Sequence, residues 1–304
     1  MSLLVVGSVA LDSVKTPFGE ATEVLGGSAT YFSTAASYFT PVNVVATVGE
    51  DFPAAHLEFL RSRGVDIAGI ETGNGKTFRW RGEYSYQLNE AHTLETQLNV
   101  FERFAPRVPE AYRKPALVFL ANIDPVLQRD VLGQVTRPKI VACDTMNFWI
   151  AGKKGELERT LREVDILIIN DGEARQLAGE VNLVKASRAI MQMGPRTVII
   201  KRGEHGALLF SGAKVFAAPA FPLENVFDPT GAGDSFAGGF LGHLAKHPSL
   251  DHTNLCKAVI FGSVLASYCV EAFSLDRFRT LTRLEIQHRY REFKHLTFFE
   301  DVDA

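Results

Sequence analysis

The chain has 304 residues, 46% of them hydrophobic and 22% charged, with a formal net charge of −3 and a pI near 6.3. That balance supplies apolar surface for a large core and excludes a disordered chain; it leaves no global electrostatic reason to bind nucleic acid or an anionic membrane. Small molecules are the partners it predicts. Cys143, Cys256 and Cys269 are odd in number, isolated and without a CxxC pair, which predicts buried thiols in a reducing compartment rather than disulfides or a zinc site. No basic leader precedes Leu3 and no apolar run reaches membrane-spanning length, so the expectation is one cytoplasmic domain over residues 1–304.

In chain order, Leu3–Val6 is a continuous apolar run closed by Gly7 and Ser8, the pattern of a strand buried on both faces of a parallel sheet. Asp12 follows beyond its carboxyl end, where open α/β sheets bind ligands, and either accepts hydrogen bonds from two sugar hydroxyls or makes an Asx turn. Gly26 and Gly27 let the backbone approach a ligand or turn tightly before a small-residue helix over 33–38, and an apolar strand follows over 42–48. Gly49-Glu50-Asp51 is a turn that either helps to shape a ligand pocket or does nothing more. Over 77–101, Phe78, Trp80, Tyr84, Tyr86 and Leu88 alternate with Arg79, Arg81, Glu83, Ser85 and Gln87, and Leu94, Leu98 and Val100 alternate again after Asn89 to His92. Period two on both sides of a turn predicts a β-ribbon with one apolar face, which covers a ligand or packs on a second subunit. Arg79 and Arg81 are solvated strand charges, or partners for an anionic substrate.

From residue 116, apolar strands over 116–121, 139–143, 166–169 and 197–201 alternate with amphipathic helices over 126–134, 157–164 and 173–177, which predicts βαβ units and a parallel sheet. Asp144 and Asn147 sit just past a strand end, Asn147 as a pocket residue or a turn former. Asn170 and Glu173 have the spacing of a capping box, and Glu173 is also placed to organise magnesium through its waters. Gly203-Glu204-His205-Gly206 follows the strand over 197–201; it reads as a hairpin into 207–210 or a nucleotide-site turn, with Lys201 and Arg202 in reach of phosphates. His243 and His247 lie four apart on a helix without an H-E-x-x-H pattern and read as surface residues near its C-terminus. A later helix over 254–268 keeps one face narrow through Ala258, Gly262, Ser263, Ala266 and Ser267, for close packing or a flat purine. Arginines after residue 276 alternate with Glu285, Glu292 and aliphatic positions as in a solvated amphipathic helix.

The most specific stretch is Asp228-Pro229-Thr230-Gly231-Ala232-Gly233-Asp234-Ser235-Phe236, continuing through small residues to Phe240. Pro229 stops a helix from running in, and Phe236, Phe240 and Leu244 start one running out, so small residues lie at the positive end of a helix dipole where their amides can cradle a phosphate. Asp234 in the first turn either complements the dipole or deprotonates a hydroxyl beside a polarised phosphoryl group. The stretch is neither a Walker A loop nor a Rossmann fingerprint.

At these residues the chain resembles the ribokinase-like, or PfkB-type, carbohydrate kinase family, whose signature is D-P-T-G-A-G-D-x-F followed by small residues. The resemblance runs in order from Asp12 through the paired glycines, the G-x-D turn, the ribbon, N-x-x-E at Asn170 and G-x-x-G at Gly203. It implies an α/β fold of three layers, a central mostly parallel sheet between helices, with a small β-sheet lid built from about 13–25 and 77–101. The implied reaction moves the γ-phosphoryl of ATP to an alcohol group of a small sugar or sugar derivative. Asp234 would be the general base, with Gly231, Ala232, Gly233 and the Asp234 amide as the anion hole. Asp12, Gly26, Gly27, Tyr31 and Asn147 would hold the substrate. Asn170, Glu173, Lys201, Gly203, Gly206, Thr230, Gly231 and Gly233 would hold the nucleotide, with Mg2+ reached from Glu173 through water, K+ in some relatives, and a homodimer through the lids. Tyr31 stands where the family's G-G-x-x-x-N has Asn, which opens the identity of the sugar. An adenosine-like nucleoside kinase, its base stacked on Tyr31, Phe78 or Trp80, is the near alternative, and a non-catalytic sugar- or nucleoside-binding regulator the far one.

Overall fold

The computed structural model describes residues 2–300. Its strands are β1 (Leu3–Val6), β2 (Ala10–Thr16), β3 (Gly19–Gly26), β4 (Val42–Gly49), β5 (Val65–Gly73), β6 (Arg79–Tyr84), β7 (Ala91–Gln97), β8 (Leu117–Leu120), β9 (Ile140–Cys143), β10 (Ile166–Asn170), β11 (Thr197–Lys201), β12 (Ala207–Ser211) and β13 (Lys214–Ala218). Its helices are α1 (Ser28–Ala36), α2 (Ala54–Ser62), α3 (Pro125–Gln134), α4 (Asn147–Gly152), α5 (Lys154–Leu161), α6 (Asp171–Ala178), α7 (Leu183–Gln192), α8 (Ala232–Lys246), α9 (His252–Cys269), α10 (Asp276–Thr280) and α11 (Arg283–Leu296). Nine strands form the main sheet in the order β13-β12-β11-β10-β9-β8-β1-β4-β5. It is parallel from β11 to β5 and closes at one edge with the antiparallel β12 and β13.

The all-apolar strands explain the layering. In β1, Leu3 and Val5 enter one core while Leu4 and Val6 enter the other, and β10 divides in the same way between Ile166 and Ile168 on one face and Leu167 and Ile169 on the other. A two-residue period in a strand buried on both sides feeds both cores. The first is covered by α1, α2, α8, α9 and α11, the second by α3 to α7. Helix α1 meets α8 so closely that a side chain at Gly238 would strike the Phe32 carbonyl, which is what a glycine in mid-helix provides here. Among the described residues no helix is long and apolar enough to cross a membrane.

Four strands form a second, small sheet in the order β3-β2-β6-β7, antiparallel at β2/β3 and β6/β7 and parallel at β2/β6; it is built from the segments expected to form a lid and is called the lid below. The ribbon is shorter than the sequence predicts. β7 ends at Gln97, Tyr86 and Leu88 lie in the connecting turn, and Asn99–Arg103 is a 3-10 helix whose Phe101 stacks on Phe78. The helix expected over 33–38 begins at Ser28, directly after Gly27, and the one expected over 157–164 is Lys154–Leu161.

Candidate active site at the carboxyl edge of the sheet

The geometry of α8 sets the site. Helices α3, α6, α7, α9 and α11 are capped by the side chains of Asp124, Asn170, Asn182, Asp251 and Thr282. α8 begins instead at Gly231, in the left-handed conformation at φ 74°, with no side-chain cap. The positive end of that fifteen-residue helix is left without a side-chain acceptor, as anion binding by backbone amides requires. Gly231 is also the place where the Tyr31 ring lies flat against the backbone, so any side chain there would enter the ring. Asp228 shapes the approach: its Oδ1 accepts from the Thr230 amide at 2.9 Å and its Oδ2 from the Ser274 amide at 3.2 Å.

Asp234, partly buried in the first turn of α8, has its carboxyl pushed up to about 6 by burial, against the pull of the Lys201 ammonium. Lys201 Nζ comes within 2.5 Å of where a Cβ on Gly233 would stand, so the cation that ends β11 lies against the glycine loop. On the other side, Asp12 is almost fully buried on β2 and accepts from the Gly27 amide. Burial, and then the nearby Asp228 and Asp234 carboxylates, raise it to about 7. Gly26 packs directly on the Asp12 carboxyl. Tyr31 is buried beside Asp12, its hydroxyl without a hydrogen-bond partner and held well above the ordinary tyrosine range by burial.

The other expected residues fall into place unevenly. Asn170 and Glu173 form a full capping box, Asn170 Oδ1 accepting from the Glu173 amide at 2.7 Å and Glu173 Oε2 from the Asn170 amide at 2.8 Å. Glu173 nevertheless interacts with Lys201 and Asp234, and burial raises its carboxyl; the capping role leaves it beside the cation that ends β11. Gly203 and Gly206 bracket a 3-10 turn in the β11–β12 hairpin. Arg202, expected in reach of phosphates, turns back to the His205 carbonyl at 2.6 Å. Asn147 begins α4 and is exposed, with its Oδ1 accepting from the Phe148 amide; no described hydrogen bond brings it to Asp12 or Tyr31. Asp51 anchors the root of the lid: it accepts from the Thr77 amide and hydroxyl and pairs with Arg79 at 2.8 Å, while Arg79 Nε reaches Glu23 on β3 at 2.6 Å. Arg79 is therefore an internal tie of the lid. His243 pairs with Asn254 and stacks on Phe261.

Two site residues escape sequence reasoning. Tyr84, on the lid face that carries Asp12, sets its hydroxyl 3.3 Å from Thr230 Oγ1, over the mouth of the glycine loop. Asp144, at the end of β9, is buried, has an Oδ1 without a partner, and faces Asp234, Lys201 and Glu173; burial holds its carboxyl well above the ordinary range. Each carries a local signal: Asp144 lies just past the end of β9, and the period of Tyr84 places it two residues beyond Gly82 and four beyond Trp80 on one face of β6.

An uncapped glycine-rich helix start, a carboxylate in its first turn and a buried carboxylate on the small sheet facing them suit a phosphotransferase acting on an alcohol group. The chain belongs to the pfkB family of carbohydrate kinases, whose model matches residues 4–278. It is 29% identical over 260 residues to the cytidine kinase of Thermococcus kodakarensis, covering 83% of this chain and 91% of that one. It is 27% identical over 236 residues to the nucleoside kinase of Methanothermobacter thermautotrophicus, 75% of this chain and 72% of the relative. The crystal structure of Methanocaldococcus jannaschii nucleoside kinase, described as an archaeal member of the ribokinase family, superposes with a TM-score of 0.75 at 19% identity, over 96% of this chain and 98% of the other. The protein is thus an ATP-dependent kinase of sugar or nucleoside hydroxyls.

Proposed function

We propose that the acceptor is a nucleoside and that Asp234 removes the proton from its hydroxyl as the γ-phosphoryl of ATP is transferred. One observation carries the acceptor class. β6 lies parallel to β2 with Trp80 opposite Asp12, so the carboxylate suited to two ring hydroxyls and an indole suited to a flat base share one face of the lid. The Trp80 indole lies across Gly82 on that face, with its Nε1 tied to Thr93 Oγ1 at 3.2 Å. The names of the two curated relatives, a cytidine kinase and a nucleoside kinase, support the same class.

Asp12, oriented by the Gly27 amide, holds the sugar ring, with Gly26 and Tyr31 forming its floor. Tyr84 and Trp80 exclude water that would otherwise accept the phosphoryl group. The amides of Gly231, Ala232, Gly233 and Asp234 take the charge that develops on the transferred group, and Lys201 and Thr230 stand beside it. The residues present fit a magnesium ion: Glu173 and the unpartnered Asp144 oxygen offer hard carboxylate donors to its waters. When bound, the ion neutralises phosphate charge. Asn170, Gly203 and Gly206 frame the nucleotide side.

The exposed edge strand β7 supports a homodimer paired through lids; sedimentation of the purified protein tests it. ATP as phosphoryl donor and three free thiols support a cytoplasmic location. The test of function is ATP consumption with magnesium, with and without potassium, against nucleosides, pentoses, hexoses and sugar acids, comparing the wild type with Asp234→Asn. Turnover on nucleosides that collapses in the variant is expected. Turnover confined to free sugars refutes the nucleoside assignment, and ATP consumption unchanged in Asp234→Asn refutes the base.

A further inference from the structure

The turn between β6 and β7 does not end in solvent. Asn89, near its tip, donates from Nδ2 to Glu204 Oε1 at 3.1 Å and accepts at Oδ1 from the Glu204 amide at 3.4 Å. One side chain thus grips both the carboxylate and the backbone of a residue 115 positions later in the chain. Gly203, at φ 54°, approaches so closely that a Cβ there would collide with Asn89 Oδ1. Leu88, just before Asn89, holds φ 43°, a left-handed conformation that a leucine keeps only where its surroundings impose it. The turn that Asn89 meets joins β11 to β12 and follows directly on Lys201. The lid also touches the glycine loop through Tyr84 on Thr230, and Thr16 at the end of β2 donates to the Phe227 carbonyl at 2.9 Å. Lid, nucleotide-side turn and glycine loop are therefore one hydrogen-bonded frame.

We infer that Asn89 and Glu204 are positioning residues through which a nucleotide at the β11–β12 turn sets the position of the acceptor lid. The inference rests on the nucleotide side of the proposed reaction. A nucleotide that fixes the turn fixes Glu204, Glu204 fixes Asn89, and Asn89 draws Trp80 and Tyr84 over the acceptor. By linkage, an acceptor that closes the lid tightens nucleotide binding by the same factor. Two exposed hydrogen bonds of ordinary strength supply a coupling of about five- to tenfold. The lid would then close before the γ-phosphoryl group is exposed to water, which is the order a kinase needs.

The test reads lid position with nucleotide alone. The chain has two tryptophans, so Trp149→Phe leaves Trp80 as the fluorophore in the lid. A non-hydrolysable ATP analogue with magnesium is titrated into that protein, its binding measured in parallel by calorimetry. A nucleotide-dependent change in Trp80 emission is expected, largely lost in Asn89→Ala and in Glu204→Ala, retained in Glu204→Gln because the Oε1 acceptor survives, and no further reduced in the double variant. Limited proteolysis of the 85–90 turn in protein with both tryptophans is the second readout: nucleotide protects the turn in the wild type and not in Asn89→Ala. Binding of the analogue with no Trp80 response, or with the same response and protection in Asn89→Ala as in the intact chain, overturns the inference alone. Failure of the intact protein to bind the analogue overturns the nucleotide assignment as well.

Discussion

Replacing Asp12 by Asn tests the electrostatics of the site through stability rather than turnover. Asp12 is nearly fully buried, and its carboxyl is raised from 3.8 to about 7, first by burial and then by Asp228 and Asp234. The folded-state value lies above the unfolded one, so the folded state binds the extra proton between roughly pH 4 and 7. Stability therefore falls as pH rises through that window and is level above it. A shift of about three units corresponds to about 4 kcal/mol of charge burial carried at pH 8. Asn keeps the shape and the acceptor for Gly27 but adds an amide nitrogen whose missing partner costs about 1 kcal/mol, which leaves a net gain of about 2–3 kcal/mol. In a chain of this size that raises Tm by roughly 3–5 °C at pH 8 and little or nothing at pH 4.5. Thermal denaturation of both proteins across that range measures the difference; a pH-independent difference, or a variant less stable than wild type at pH 8, refutes the reasoning. The same substitution should raise the acceptor KM by about 10²-fold, since hydrogen bonds to a charged group are worth about 1.5–3 kcal/mol each.

For the base, kcat of the wild type at saturating acceptor should rise with pH and level off above about 6, the value to which Asp234 is pushed, whereas kcat/KM levels off only above about 7 because Asp12 must ionise as well. Asp234→Asn lowers kcat by about 10²–10⁴-fold. Lys201→Met removes the cation that opposes burial and moves the acid limb to higher pH; a limb that stays in place would show that Lys201 does not act on the base. Gly231→Ala forces a side chain into a left-handed backbone and the Tyr31 ring, and should cost about 2–4 kcal/mol, read as a lower denaturation midpoint; an unchanged midpoint means the ring moves aside freely. Tyr84→Phe deletes the hydroxyl that meets Thr230 and should raise the ratio of ATP consumed to acceptor phosphorylated, measured by coupled assay and product chromatography. A ratio that stays at the wild-type value removes Tyr84 from the lid's sealing role.

What was legible in the sequence follows from burial. β1 and β11 have the limits their apolar runs predict, because a strand buried on both faces announces itself without neighbours. β5 and β13, at the sheet's edges, bury only some of their residues and carry no such signal. The glycine stretch at 228–240 was readable because its chemistry is local, one loop opening one helix. Tyr84, Asp144 and the Asn89–Glu204 pair were not, because their meaning lies in partners 146, 90 and 115 residues away. Asp51 and Arg79 were visible as charges, but only the fold shows them spent on each other at the root of the lid.

The close seat of α1 on α8 at Gly238 bears on how the protein is made. The buried face of α1, with Phe32 and Ala35, leaves the ribosome some two hundred residues before its partner helix. β1, likewise, waits for β8 on one side. Such distant pairings form slowly, and a nascent chain halted before α8 exposes an apolar strip that invites aggregation. Because α8 begins in the glycine loop and carries Asp234, a truncated product ending before residue 232 lacks both that covering helix and that carboxylate.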